Sequence, residues 1–210
     1  LHYPLRRQRQ MCIRDSPHRA KDDEGEEAEE ERQQGITTWS MDYGFMRKRI
    51  LGESEIDLGL RILMMYDRNS KTIKSVVLPQ KGVHPYAVKR AVEILNLVGD
   101  KRLISKCDQE ASITAFRDAV KRRDSQLEIV PEDNIVGESQ SNGEVKGAIK
   151  ILKRLIRTMR LGLQSRYKTI IEENHLIVPL KIREAAENIN RFQVGQDGGT
   201  RRERLIGKTW

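Results

Sequence analysis

Cysteine is scarce in this chain of 210 residues, and long apolar segments are missing from it. Its two cysteines, Cys12 and Cys107, are too few for a disulfide framework or for a dedicated zinc-binding module. No apolar stretch approaches the length of about twenty residues that a helix needs to span a bilayer. These absences exclude a disulfide-rich scaffold and predict a protein without a membrane segment. They also favour a reducing, intracellular setting, with nucleus and cytoplasm both open.

Acidic residues are outnumbered by basic ones, and they are most concentrated in one N-terminal segment. Lysine and arginine total 39 against 31 aspartate and glutamate residues, which gives a formal net charge of +8. The acidic run comprises Asp22, Asp23, Glu24, Glu26, Glu27, Glu29, Glu30 and Glu31. The remainder of the chain is therefore more basic than the total suggests, and it favours a polyanionic partner such as DNA. Surface charge without a specific partner is the alternative interpretation.

Residues 1–34 are expected to form a disordered acidic tail, because like charges are dense there and apolar periodicity is missing. The chain begins with Leu1, and residues 8–16 resemble translated sequencing-adapter sequence, so part of this tail is expected to be foreign to the natural protein. Residues 35–195 are predicted to form one folded core, and residues 196–210 a C-terminal extension. Because the sequence stops at Trp210, we expect a truncated extension and a fragment of a longer polyprotein.

Strands are predicted where β-branched, aromatic and aliphatic residues cluster between turn residues. Three come first, at residues 36–41, 60–66 and 73–78, and Asp42 directly follows the first of them. Two shorter strands are predicted at residues 103–107, with Asp108 at the tip, and at residues 127–130. Cys107 precedes Asp108 and is expected to point to the opposite face of the sheet, into the core.

Helices are predicted after the third, fourth and fifth strands. One begins at Pro85 and is stopped by Gly99, a second has Ile113 and Phe116 on its apolar face, and two more cover about residues 143–163 and 176–192. Residues 131–142 are predicted to form a polar loop. Strands followed by alternating helices and strands indicate an α/β fold in which helices flank a mixed sheet.

Two aspartates at predicted strand ends are the candidate metal ligands. Divalent cations such as Mg²⁺ bind clustered carboxylate oxygens, and a sheet holds such ligands rigidly. Two-metal phosphoryl transfer uses several carboxylates to hold two cations about 3.5–4 Å apart. Asp42 and Asp108 fit this pattern if their strands are neighbours, which the sequence leaves open. Aspartates that only cap strand ends are the alternative.

The helix that begins near Gly143 carries two distinct stripes. Apolar side chains that must pack on the sheet recur at helical spacing, namely Val145, Ile149, Leu152, Ile156, Met159 and Leu163. A basic stripe lies beside them and is suited to meet DNA phosphates, namely Lys146, Lys150, Lys153, Arg157 and Arg160. Glu144 lies in the first turn, where the helix dipole favours a carboxylate whatever its function.

Three segments together resemble the catalytic core of retrotransposon and retroviral integrases, a family with the ribonuclease-H-like fold. They are Met41-Asp42-Tyr43-Gly44, Lys106-Cys107-Asp108-Gln109-Glu110 and residues 137–146, in which Gly143 opens the basic helix. The resemblance covers about residues 36–208. It implies a five-stranded mixed sheet on which two strand-borne aspartates and one helix-borne glutamate hold Mg²⁺ or Mn²⁺ for DNA strand transfer.

The glutamate is the position at which this sequence departs from the family. The motif has it three residues after Gly143, where this chain has Lys146, whose ammonium group opposes metal binding. Glu144 lies two residues earlier, about 200° around the helix. By the resemblance, the candidate catalytic and metal-binding residues are Asp42, Asp108 and Glu144, with Glu110 and Glu138 as substitutes for the third ligand.

The resemblance also implies DNA as the partner. The candidate DNA contacts are Gln140, Ser141 and Asn142 in the loop, and Lys146, Lys150, Lys153 and Arg157 on the helix. The leading hypothesis is DNA integration, the metal-dependent joining of retrotransposon DNA ends to target DNA by a homo-oligomer. A catalytically inactive nucleic-acid-binding remnant and a ribonuclease-H-like nuclease are the two alternatives.

Overall fold

Five strands form one mixed sheet in the part of the chain that the computed structural model describes, residues 36–46, 59–133, 142–172 and 175–207. In chain order they are β1 (Thr38–Phe45), β2 (Arg61–Asp67), β3 (Ile73–Leu78), β4 (Arg102–Cys107) and β5 (Glu128–Asp133). Across the sheet the order is β3-β2-β1-β4-β5. The pairs β1–β2 and β2–β3 are antiparallel, whereas β1–β4 and β4–β5 are parallel. This topology confirms the five-stranded mixed sheet expected from the sequence.

Helices cover both faces of the sheet. They are α1 (Pro85–Val98), α2 (Ala111–Arg123), α3 (Gly143–Tyr167), α4 (Ile177–Phe192) and α5 (Arg201–Ile206). Pro85 opens α1, because its fixed φ suits the first helical turn, and Gly99 ends it in the left-handed conformation at φ 88°. The sequence did not predict α5, a short helix that starts with a capping box between Thr200 and Glu203.

No helix in the described ranges combines the length and apolar character that crossing a bilayer requires. The predicted acidic tail at residues 1–34 lies outside the described residues, and so do Glu138, Gln140 and Ser141 of the predicted loop.

Alternation along β1 divides the core into two layers. Trp39, Met41 and Tyr43 belong to a cluster that includes residues of α1 and α2. The intervening positions face α3 and α4, which form a second apolar cluster with alternate residues of β2. Cys107 is fully buried in the first cluster, which confirms the prediction that it points into the core.

Two contacts fix the start of α3 against β1. Gly44 lets the helix approach closely, because a Cβ atom at this position would lie 3.0 Å from Cγ2 of Ile149. The side-chain amide of Asn142, directly before α3, donates a hydrogen bond to the carbonyl oxygen of Met41 at 3.2 Å. The first turn of α3 is therefore held beside the middle of β1.

Strand β1 is longer than predicted, and this changes the position of Asp42. The expected strand ended just before Asp42, but the observed one continues to Phe45. Tyr43 and Phe45 continue the alternation and pair with Leu63 and Arg61 of β2. Asp42 therefore lies within a strand rather than at its end, and its backbone is opposite Met64 of β2.

Strand β5 and helix α3 also extend beyond their predicted ends. Pro131 lies inside β5 because this strand is at the edge of the sheet, where its missing N–H costs no ladder hydrogen bond. Helix α3 continues to Tyr167, after which Lys168 takes the left-handed conformation at φ 49°.

Candidate functional site

Asp42 and Asp108 lie side by side on neighbouring strands. The parallel pairing of β1 and β4 ends with Met41 opposite Cys107, and the two aspartates are the next residues on each side. Both point away from the buried Met41 and Cys107, toward the face that carries α3. The two carboxylates are close enough to interact, because the charge of Asp108 raises the pKa of Asp42.

The surroundings of Asp42 oppose its ionisation. Burial is the main cause of its raised pKa, and it outweighs the hydrogen bond that the backbone N–H of Tyr43 donates to Oδ1 at 2.7 Å. The charges of Asp108 and Glu110 raise the pKa of Asp42 further, whereas that of Lys146 lowers it. The aspartate pair is thus a concentration of negative charge that favours a nearby cation.

The cation that meets this pair is Lys146 of α3. Its Nζ lies 3.1 Å from Oδ2 of Asp108, and the two side chains are 32% and 35% exposed. The ion pair is therefore partly screened by water and open to further polar partners. Lys146 occupies the position at which the resembling motif has a glutamate. Here it serves as the counter-charge of Asp108.

The two described candidates for a third carboxylate are held elsewhere. Glu144 accepts from Lys71 at 3.1 Å and lies 3.4 Å from Nε of Arg68. Glu110 accepts from Lys81 at 2.6 Å and from the hydroxyl of Ser112 at 2.7 Å. Each carboxylate is oriented by its own basic partner, so neither completes a ligand set with Asp42 and Asp108.

The placement of these side chains shows whether they can form the predicted divalent-metal site. Within the described ranges, no group of three His, Cys, Asp or Glu side chains is arranged to hold a metal ion. The predicted set of Asp42, Asp108 and Glu144 is therefore not assembled, because Glu144 faces Arg68 and Lys71 instead. An ammonium group 3.1 Å from one of the two remaining carboxylates repels a divalent cation. The residues as they stand do not fit a Mg²⁺ or Mn²⁺ pair.

The predicted DNA contacts on α3 and directly before it differ in how exposed their side chains are. Lys150 and Arg157 are exposed, and Lys153 is partly exposed. Asn142, in contrast, is only 2% exposed and donates its side-chain amide to the carbonyl oxygen of Met41. The Asn142 side chain anchors the helix start in this structure, and its contact with DNA stays a prediction.

Residues that the sequence analysis missed lie beside the first turn of α3. Arg68 and Lys71 come from the turn between β2 and β3, and both meet Glu144. Lys71 adopts φ 63°, a conformation that is uncommon for residues other than glycine and is seen mostly in turns. The residues of this segment indicated a turn, but nothing in them indicated the partner of that turn, which comes from a distant helix.

Comparison with known proteins places this geometry in a structural class. Neither protein-family models nor curated protein sequences give a match. Solved structures do: the HTLV-2 integrase catalytic core domain in complex with magnesium superposes with a TM-score of 0.58, at 14% identity over 80% of this chain and 94% of that chain. The catalytic core domain of BIV integrase gives a TM-score of 0.52, at 20% identity over 81% and 93% of the two chains.

A third similar chain comes from the solved structure of an assembled complex. A chain of the simian T-cell lymphotropic virus intasome in complex with PP2A regulatory subunit B56 gamma gives a TM-score of 0.59 at 16% identity. The match covers 80% of this chain and 53% of that chain, so this chain spans about half the length of that relative. Together these likenesses establish the ribonuclease-H-like fold of a retroviral integrase catalytic core.

Proposed function

We propose that this chain functions in DNA integration as a nucleic-acid-binding core with the integrase fold. In this proposal the Lys146 ammonium group occupies the place of a metal ion beside Asp42 and Asp108. The observation that carries this proposal is the 3.1 Å contact between Nζ of Lys146 and Oδ2 of Asp108, beside Asp42. Metal-dependent joining of retrotransposon ends to target DNA, which the sequence resemblance implies, needs a cation that this lysine repels. The chain as it stands is therefore expected to bind DNA without joining it.

DNA binding is supported by the way α3 is mounted on the sheet. Its apolar side, which includes Val145, Leu152 and Ile156, is buried, so the helix cannot turn its basic residues away from solvent. Lys150 and Arg157 are exposed about two and four turns after the helix start. Neutralising DNA phosphates with such side chains releases counterions, which gives favourable binding at low salt.

Lys146 has a definite role in this proposal. Asp42 and Asp108 alone would repel a DNA phosphate that approaches the start of α3. The Lys146 ammonium offsets part of that charge, as its lowering of the Asp42 pKa indicates. The side chain thus does, with one positive charge and no bound metal, part of what a divalent cation does electrostatically at a carboxylate cluster.

The substitution Lys146→Glu tests the proposal directly, because it restores the carboxylate that the family pattern has at this position. We expect the wild-type chain to bind duplex DNA with a steep salt dependence, and to show neither measurable Mn²⁺ affinity nor strand transfer. Lys146→Glu is expected to gain Mn²⁺ binding, measured by calorimetric titration, and metal-dependent joining of a labelled DNA end to a target duplex.

Lys150→Glu is the matched control. It makes the same change of charge one helical turn further along α3, on an exposed side chain. It is expected to weaken DNA binding without creating metal affinity. Robust metal-dependent joining by the unaltered chain, or no DNA binding at low salt, would contradict the proposal. Cleavage of an RNA–DNA hybrid by the unaltered chain would favour the nuclease alternative.

A further inference from the structure

A second basic site is lined by Lys71, whose ammonium group contacts the Glu144 carboxylate at 3.1 Å. It is an open cleft of about 450 Å³ between the β2–β3 turn and the segment that joins α4 to α5. The side chains that carry its chemistry are Tyr66, Asn69, Lys71, Gln193, Arg201 and Arg204. Three of these are cationic, and among the residues that the structure describes Asp197 is the one carboxylate in the cleft lining.

The charges in this cleft are unevenly compensated. Arg204 and Asp197 neutralise each other, because Nε and Nη2 of the guanidinium donate to the two carboxylate oxygens. Arg201 donates to the carbonyl oxygen of Lys71 at 2.5 Å and to Oε1 of Gln193 at 3.2 Å. Both of its acceptors are neutral, and within the described ranges no carboxylate pairs with it.

A half-buried guanidinium without an anionic partner is costly, since burial removes water without supplying a counter-charge. Burial accordingly lowers the pKa of Arg201, although the group remains charged at neutral pH. Its two hydrogen bonds hold the guanidinium in place and use two of its five donors. An anion that enters the cleft would supply the missing charge and meet a donor group that is already oriented.

The walls of the cleft are held by hydrogen bonds within the protein, several of them buried. Asn190 of α4 forms two hydrogen bonds with the backbone of Ile73, at 2.9 Å and 2.7 Å, which tie the end of α4 to β3. The backbone N–H of Gly195 donates to the carbonyl oxygen of Gly199 at 2.9 Å and closes the turn before α5. The β2–β3 turn is held by Asp67, which accepts from the N–H groups of Asn69 and Ser70.

We propose that this cleft binds a backbone phosphate of nucleic acid, with Arg201 and Lys71 as its charged contacts. The inference deepens the proposed function and depends on it, because the cleft would hold a strand that also passes the acidic site. Continuity supports the assignment: Lys71 contacts Glu144 at 3.1 Å, and Glu144 lies two residues from Lys146 on α3. A free phosphate ion offers the same chemistry, so the test must separate the two sources.

The test compares Arg201→Gln and Lys71→Asn with Arg122→Gln in the full chain. Lys71→Asn removes the ammonium group but keeps the carbonyl that holds Arg201, and asparagine tolerates the left-handed backbone at this position. Arg122→Gln removes an exposed charge on α2, on the other face of the sheet. Circular dichroism and the urea midpoint verify that each variant is folded.

Binding of a 5′-phosphorylated single-stranded oligonucleotide is measured by anisotropy at several salt concentrations, and binding of inorganic phosphate by calorimetry. Arg201→Gln and Lys71→Asn are each expected to weaken oligonucleotide binding about tenfold. Each is also expected to reduce the slope of log K against log salt by about 0.7. Arg122→Gln is expected to change the affinity much less than either.

Three outcomes separate this inference from the proposed function. If the unaltered chain binds the oligonucleotide and both cleft variants, folded, bind it equally well, the cleft inference is wrong and DNA binding stands. If inorganic phosphate binds in an Arg201-dependent manner and the oligonucleotide binds no better, the ligand is free phosphate and the nucleic-acid assignment is overturned. If neither ligand binds, the cleft inference is wrong, and if duplex DNA does not bind either, the proposed function fails with it.

Discussion

Each face of the sheet carries a basic side chain that reaches from a helix to an aspartate at a strand end. On one face, Arg117 of α2 donates to Asp133, the last residue of β5. On the other face, Lys146 of α3 meets Asp108, which directly follows β4, at 3.1 Å. The Arg117 side chain is 7% exposed, whereas that of Lys146 is 32% exposed. The two ion pairs have similar chemistry but a different relation to solvent.

This difference in exposure distinguishes a contact that stabilises the fold from one that can meet a ligand. Arg117 also donates to Sγ of Cys107 at 3.5 Å, and burial raises the pKa of that thiol to about 12, so the thiol stays neutral. The cation of this group is buried, and its most exposed member, Asp133 at 26%, is a carboxylate that repels a nucleic acid. The Lys146 pair borders solvent and a basic helix, so its charge can interact with an external phosphate.

The largest expected effect concerns the ion pair of Arg117 and Asp133. Arg117→Met should destabilise the fold by about 3 kcal/mol, because it leaves Asp133 without its counter-charge in a mostly buried position. Lys146→Met is the matched change at the exposed pair and should cost about 1 kcal/mol or less. Urea unfolding of both variants measures the difference. Equal losses for the two would mean that exposure does not distinguish the pairs.

An intermediate effect is expected at the close contact between β1 and α3. Gly44→Val should cost about 1–3 kcal/mol, because the added side chain overlaps Ile149. The double variant Gly44→Val with Ile149→Ala should recover part of this loss, which a double-mutant cycle of urea midpoints would reveal. Gly147→Ala is the control, since a Cβ there meets open space and should stabilise α3 by about 0.5–1 kcal/mol. A strictly additive double variant would contradict the proposed contact.

The smallest effect concerns the pH dependence of the acidic pair. The folded state raises the pKa of Asp42 mainly through burial, so it binds this proton more tightly than the unfolded chain does. The contribution of Asp42 to stability is therefore present in acid and is lost as the pH rises through the folded-state pKa. Asp42→Asn should be more stable than the wild-type chain at pH 7, and this advantage should disappear near pH 3. Urea unfolding at both pH values measures it.

Asp197→Asn gives the opposite sign and serves as the control for that experiment. The Arg204 guanidinium lowers the pKa of Asp197 to about 2, so its stabilising contribution is present at neutral pH and is lost in acid. This variant should therefore be less stable than the wild-type chain at pH 7 and equal to it in strong acid. If Asp42→Asn and Asp197→Asn are both less stable than the wild-type chain at pH 7, the environments of the two aspartates do not differ as described.

Much of the fold was predictable because local patterns carry it. The apolar stripe of α3 is buried as its helical spacing predicted, from Val145 through Ile156. Strand ends were less accurate, since β1 runs on to Phe45 by pairing with β2, which is a tertiary contact. The site was predictable only in part. The adjacency of Asp42 and Asp108 was conditional on strand order, and the burial of Asn142 had no local signal.

The sequence by itself determined the helix faces, the strand alternation and the presence of Lys146 where the family pattern has a glutamate, because these depend on residue spacing along one element. Only the tertiary structure decided which groups meet across the chain. Lys71 reaches Glu144 over 73 positions, and Arg201 reaches the Lys71 carbonyl over 130. Such contacts depend on the order of strands in the sheet and on the helices packed against it, which the periodicity of a single segment does not encode.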